Sequence, residues 1–280
     1  MKEGVMRVVF CLAACACVLA VALICAFLFA NGLPFFGKVN ALDFLLGEKW
    51  KPTNDIYGIL PMILGSLYIT AGAVLFGAPI AVLTSVYMAY FAPKPVLRVL
   101  EPAVSLLAGI PSVIYGLFGL TLLVPFVRET FGGKGFSILT ASLLLGMMIL
   151  PTIINVAVSS LRQVPMNYYE GSLALGATAE RSVFRVMLPA ASSGVTSGIV
   201  LGVGRAIGET TAVMMVAGNQ PRITADLLKG IRTMTTNIVM EMGYAADLHR
   251  EALIATGVVL FVFILLIHMI FSAMKRRTKA

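Results

Sequence analysis

The chain has 280 residues, of which 59% are hydrophobic and only 12% charged, with a mean hydropathy of +0.95 and a formal net charge of +8. An ordinary soluble domain is about 25% charged, so composition excludes that class and points to an integral membrane protein. The positive excess comes without a basic stripe interleaved with aromatics, so it reads as loop lysines and arginines that set topology, and nucleic acid is not an expected partner.

The first apolar run covers residues 8–30. A secretory signal has an apolar region of about 7–15 residues, so this longer run predicts a retained membrane helix, despite the cleavage-like "LAAC" at 12–15. All four cysteines, Cys11, Cys15, Cys17 and Cys25, lie within it. No histidine or carboxylate stands near them at ligand spacing, so no metal site is expected. "GLPFFGKV" at 32–39 imitates a phosphate-binding loop, but Val39 occupies the position of the magnesium-ligating hydroxyl and the run comes after a membrane helix instead of a strand. Any ATP and magnesium chemistry is therefore expected on another polypeptide, with no cofactor and no catalytic residue in this one.

The second run, 59–91, exceeds one straight span, and Gly77 and Pro79 predict a kink within it. The third, 102–127, contains "GIPSVIYG" (109–116). Pro111 removes a helical hydrogen bond there, and broken backbone at membrane depth must be buried in protein or line a cavity. Pro111, Ser112 and Tyr115 are thus candidates for a pathway wall, as is Thr210 farther along, with a packing kink as the alternative. The fourth run is 136–161.

Residues 162–190 form a polar connection containing "PMNYYEGSLALGATAERSVFRVMLP". It predicts one helix ended by Gly176 and a second capped by Thr178, with Arg181 and Arg185 on one face and Pro189 opening the next span. A short rigid helix pair at a membrane edge is a feature that a soluble partner could push against.

The fifth run, 191–218, reads as one continuous helix with "GRAIGET" (204–210) in its middle. An Arg at mid-membrane costs roughly 2.5–3.5 kcal/mol on insertion scales and marks a functional position. Glu209 is four residues beyond Arg205, which in a helix places both on one face, where they can pair. Two G-x-x-x-G spacings, Gly198–Gly202 and Gly204–Gly208, allow close backbone approach. The guanidinium fork suits an oxyanion, and Glu209 suits an oxyanion that still carries a proton, as phosphate does and sulfate does not. A structural ion pair is the competing explanation.

The sixth run is 252–274, and a basic tail, "KRRTK" (275–279), comes after it. Six spans put both termini on one side. The tail, Lys2 and Arg7 assign that side to the cytoplasm, with 162–190 inside and 31–58, 128–135 and 219–251 outside. The count is eleven Lys and Arg inside against nine outside. His249 and His268 show no evident partner, so an embedded enzyme is disfavoured, and the runs show no internal repetition of the kind a motor-independent transporter carries.

The polar connection resembles the EAA loop of ABC-importer permeases, with Glu170, Gly176, Leu188 and Pro189 at the family spacing. Gly171 and Ser172 replace the two alanines, and Val186 the isoleucine. "GRAIGET", "GIPSVIYG" and "NDIYGILPMILGSLYIT" (54–70) extend the likeness over nearly the whole chain, which is similar to phosphate-importer permeases of the PstC type. The resemblance implies an all-α, six-span ABC type I importer permease fold in a single domain, 1–280, in a prokaryotic cell membrane. It implies that Arg205 and Glu209 serve phosphate translocation. It also implies that Glu170, Gly176, Arg181, Arg185, Leu188 and Pro189 belong to a loop coupled to an ATPase. The implied partners are a PstA-type permease as heterodimer, two PstB-type ATPases, an external PstS-type phosphate-binding protein and the lipid bilayer. The PstA type itself, and permeases for molybdate, tungstate or sulfate, are the nearest alternatives.

Overall fold

The computed structural model describes residues 2–277; Thr278 and Lys279 of the basic tail lie outside them. Helices account for nearly all of the chain. Five helical segments are long and apolar enough to cross a membrane, namely Met6–Gly37, Leu60–Phe91, Ser112–Phe131, Ile138–Arg162 and Asp247–Ile270. The pair Ala179–Ala190 and Ser192–Gly208, bent by 70°, makes a sixth if counted as one span.

Helix α1 (Lys2–Gly32) stands at the periphery. Cys11, Cys15 and Cys17 are exposed on it, and only its end is held, with Phe29 edge-on to Phe261 at 5.7 Å. An apolar helix with nothing packed on most of its surface suits a lipid-facing position. Next come α2 (Ala41–Leu46), capped by Asn40, and a two-stranded hairpin of β1 (Trp50–Lys51) and β2 (Ile56–Tyr57). These elements are no mere connector. Phe35, Phe44, Trp50 and Tyr57 are buried together with Met62, Met234 and Leu253, so residues 33–58 and 234–253 form one ordered cap.

Helix α3 (Leu60–Val86) runs unbroken through Gly77 and Pro79, then continues to Phe91 as a π-turn. Gly77 serves close packing: a Cβ there would stand 2.7 Å from the Gly146 carbonyl oxygen. That carbonyl belongs to α7 (Ile138–Arg162), the central helix, whose Leu144, Leu145, Ile149 and Ile153 are fully buried.

The third span departs from its predicted bounds. Residues 94–109 form a separate helix, α4 (Lys94–Gly109), and the span begins at α5 (Ser112–Phe118), continuing through a π-turn into α6 (Val124–Phe131). Ile110 and Pro111 between them are extended, because the proline ring disfavours helical backbone at the preceding residue. Pro111 therefore separates two helices and does not kink one. Glu101 of α4 is tied to Arg162 at the end of α7 by a 2.7 Å ion pair.

Beyond α7 come α8 (Met166–Ala174), α9 (Ala179–Ser182), a π-turn at 183–187 and α10 (Leu188–Ala190). Helix α11 (Ser192–Gly208) then packs on α7. Gly198 and Gly202 lie against Val156 and Ile153, where a Cβ at Gly202 would be 2.8 Å from Ile153. The fifth span is not continuous. It stops at Gly208, and α12 (Thr211–Val216) begins after a break. Helices α13 (Met234–Glu241) and α14 (Asp247–Arg277) complete the fold.

Candidate translocation site

The break at Glu209 has a local cause. Glu209 is extended (φ −70°, ψ 131°), and its Oε1 accepts hydrogen bonds from the backbone N–H groups of Thr210 and Ala212, each at 3.1 Å. In a continuous helix those N–H groups would bond to carbonyls four residues back. The carboxylate captures them instead and places a negative charge at the start of α12. Gly204 and Gly208 weaken the helical alternative. Thr235 anchors the break from outside, donating its hydroxyl to the Glu209 carbonyl at 3.1 Å.

The break takes Glu209 off the helix face that carries Arg205, and the pairing their spacing allows is not formed. Arg205 remains on the last turn of α11, and its Nη1 donates to Thr152 Oγ1 of α7 at 3.1 Å. Among the described residues no carboxylate lies within ion-pair distance of it. The side chain is half-buried, and the site holds a guanidinium that no carboxylate among the described residues neutralises. His268 of α14 lies over Gly204, where a Cβ would be 3.3 Å from its Nε2.

Of the predicted wall residues, Thr210 lies at this site and Tyr115 lines a neighbouring apolar cavity. The Tyr115 hydroxyl donates to the Leu107 carbonyl at 3.0 Å and so ties α5 back to the end of α4. Tyr115 shares that cavity, of about 330 Å³, with Ile110, Ile114 and Leu150. Thr210 sits in the break and donates to the Gly208 carbonyl at 3.3 Å. Pro111 and Ser112 mark the α4–α5 junction and do not line that cavity.

Sequence reasoning missed Thr152 and the polar row that continues from it along α7. Thr152, Asn155, Ser159 and Gln163 recur at spacings of three and four, and none is buried. Such spacing places them on one face. A polar face on a membrane-spanning helix is expensive against lipid, so it belongs to a watery conduit or a protein neighbour. The signal was legible as a periodic polar row inside an apolar run.

The polar connection folds as expected and stands apart from Arg205. Gly176 (φ +85°) ends α8 in the left-handed conformation, its N–H bonded to the Leu173 carbonyl at 2.9 Å. The Thr178 hydroxyl caps α9 by accepting from Arg181 N–H at 3.3 Å, and Ser172 meets Ser182 at 2.9 Å to lock the two helices together. Glu170, Arg181, Arg185 and Pro189 are exposed and Leu188 is half-buried. Leu175 at the tip is 90% exposed. Solvent-facing leucine and tyrosine on a rigid hairpin are characteristic of a surface that meets another protein.

His249 is also placed differently from expectation. It lies in the first turns of α14, with Nε2 2.9 Å from Glu241 Oε2. The Glu241 carboxylate is buried and also accepts from Trp50 Nε1 (2.8 Å) and Arg232 Nη1 (2.5 Å). This network pins the hairpin to α13 and α14.

A bundle around a broken span that carries an unneutralised cation, with a rigid exposed hairpin at one edge, defines a membrane permease component. Residues 81–280 match the family described as binding-protein-dependent transport system inner membrane component, and the chain belongs to that family. It is 38% identical over 275 residues to the "probable ABC transporter permease protein YqgH" of Bacillus subtilis, covering 94% of this chain and 89% of that one. It is 34% identical over 272 residues to the "phosphate transport system permease protein PstC" of Mesorhizobium japonicum, covering 88% and 83%. Its fold is similar to a chain of an inward-facing structure of the MetNI methionine ABC transporter, with a TM-score of 0.64 at 20% identity, covering 82% of this chain and 99% of that one. The chain is thus a multi-pass ABC importer permease subunit of the type I fold.

Proposed function

We propose that this permease subunit carries inorganic phosphate and that Arg205 is its transient contact at the membrane midplane. The observation that carries this reading is the Arg205 guanidinium, half-buried at the broken span, held by Thr152 and matched by no carboxylate within ion-pair distance among the described residues. Similarity to PstC-type permeases supports phosphate as the cargo. Arginine presents a planar fork of donors to an oxyanion. Glu209 commits Oε1 to the start of α12, and we assign its other oxygen to the P–OH of the passing anion, which would exclude sulfate.

In this reading both termini and the α8–α9 hairpin are cytoplasmic, and the cap of residues 33–58 and 219–251 faces outward to a phosphate-binding protein of the PstS type. The subunit pairs with a PstA-type permease. Two PstB-type ATPases supply ATP and magnesium, and the hairpin of Glu170, Gly176, Arg181, Arg185, Leu188 and Pro189 docks on one of them.

Proteoliposomes holding the assembled transporter provide the test. Arg205→Lys should lower ATP-driven uptake of radiolabelled phosphate by roughly 10–100-fold, the equivalent of losing a charge-assisted contact of about 1.5–3 kcal/mol. Glu209→Gln should let sulfate compete. Undiminished uptake by Arg205→Lys, or uptake of sulfate in place of phosphate by the unaltered protein, would reject the reading.

A further inference from the structure

A polar cleft lies away from Arg205, at the same end of the molecule as the cap. It measures about 530 Å³ and is formed between the α6–α7 turn and the loop joining α12 to α13. Three cations line it, Lys134 from the α6–α7 turn and Arg222 and Lys229 from the α12–α13 loop. No carboxylate is among the described residues that line it. Arg222 is oriented by its own backbone contact, with Nε donating to the Gly230 carbonyl at 2.9 Å. Asp226 stands 3.4 Å from Lys229 and offsets one of the three charges. Its carboxyl is held below the usual range, first by the Leu228 N–H and then by Lys229 and Arg222; even with that one negative charge, the three lining cations leave the cleft net positive.

Met214 of α12 reaches the cleft wall. Helix α12 has six residues, about 9 Å, and its other end is the break where Glu209 sits, four residues past Arg205. The cleft and the Arg205 site therefore lie at opposite ends of one short helix. At about 30 Å³ per water, the cleft holds a small oxyanion with much of its hydration shell, which makes a weak station and not a trap.

We propose that this cleft is an anion vestibule, a first binding station in which Lys134, Arg222 and Lys229 receive a hydrated inorganic oxyanion before it reaches Arg205. Its outward placement rests on the orientation proposed for the subunit, with the cap outside. The cations line a concavity and do not crown a convex surface, which favours a small anion over an acidic face of a partner protein. Like-signed charge in a low-dielectric concavity raises the local concentration of a counter-charged solute. The vestibule would thus collect cargo released at the cap.

The experiment uses the assembled transporter in vesicles. Cys11, Cys15, Cys17 and Cys25 are changed to alanine, and Gln220→Cys places a thiol at the cleft wall. An anionic methanethiosulfonate should modify this position about tenfold faster than a cationic one of similar size, a ratio expected from electrostatic focusing. Inorganic phosphate should slow the anionic reagent, and Lys134→Gln with Lys229→Gln should bring the two rates together. Equal rates in the Gln220→Cys protein would overturn the proposal. So would protection by the purified binding protein but not by phosphate, which would make the cleft a protein dock. The readout is independent of cargo. Protection without phosphate uptake by the unaltered transporter sinks the cargo reading alone, and uptake without protection sinks the vestibule alone.

Discussion

Arg205 and Glu209 are four residues apart yet answer to different neighbours. Glu209 holds backbone N–H groups and Arg205 holds a threonine on another helix. The two should therefore fail differently. Thr152→Val keeps the side-chain shape and removes the acceptor, freeing the guanidinium to swing; we expect a severalfold rise in the substrate concentration for half-maximal uptake, with thermal stability unchanged. Glu209→Ala should instead lose a cap-like contact, about 1 kcal/mol, visible as a lowered unfolding midpoint as well as impaired uptake. Tyr57 offers a pH test. Burial, then its hydrogen bond to Asp55 and that carboxylate's charge, push its phenol up to about 12. Because this lies above the ordinary value of 10, the stabilisation is complete below pH 10 and fades as pH rises toward 12. Tyr57→Phe should remove that alkaline decline from the melting curve. The cation itself was legible in the sequence, since an arginine among glycines and aliphatics stands out. Its partner was not, because Thr152 lies 53 positions away and only packing of α11 on α7 brings them together.

At the scale of elements, apolar length announced the spans but not their interruptions. Residues 191–218 look helical throughout, and nothing in hydropathy shows a carboxylate seizing the next turn's N–H groups. In the third run, Pro111 was visible, but residues 102–109 of α4 were absorbed into the span because the apolar face of that helix adds to the hydropathy of the run. The α8–α9 hairpin was the most legible element: Gly176 and Thr178 are local signals whose effects are local. Gly176 meets nothing within 4 Å, so Gly176→Ala changes backbone strain alone, at about 1–2 kcal/mol for a left-handed residue. We expect weakened binding of the ATPase subunits, measured by co-purification, with little change in how much of the permease reaches the membrane. Unaltered co-purification would detach the hairpin from that role.

For the whole molecule, the cap is held through one buried carboxylate. Glu241 gathers Trp50 from the hairpin, Arg232 from the loop before α13 and His249 from α14. Removing one partner of a buried ion pair costs about 3–5 kcal/mol, since the other charge is left stranded. Glu241→Ala should thus lower the unfolding midpoint by roughly 6–20 °C, and a shift near zero would show that the cap is held by its aromatic core instead. None of this pairing was legible in the sequence: residues 31–58 and 219–251 read as polar segments outside the membrane, a docking surface or plain connections, because tertiary pairing across nearly two hundred positions leaves no local trace.

The 70° elbow between α10 and α11 has a mechanical consequence. Arg205 is thirteen residues beyond Ser192, so it rides about 20 Å out on a rigid rod pivoted at Ala191. A swing of roughly 10° at that pivot would carry it about 3.5 Å sideways, farther than the 3.1 Å reach that joins it to Thr152. On that geometry, a small displacement on the hairpin side of the elbow would be enough to part the guanidinium from its threonine.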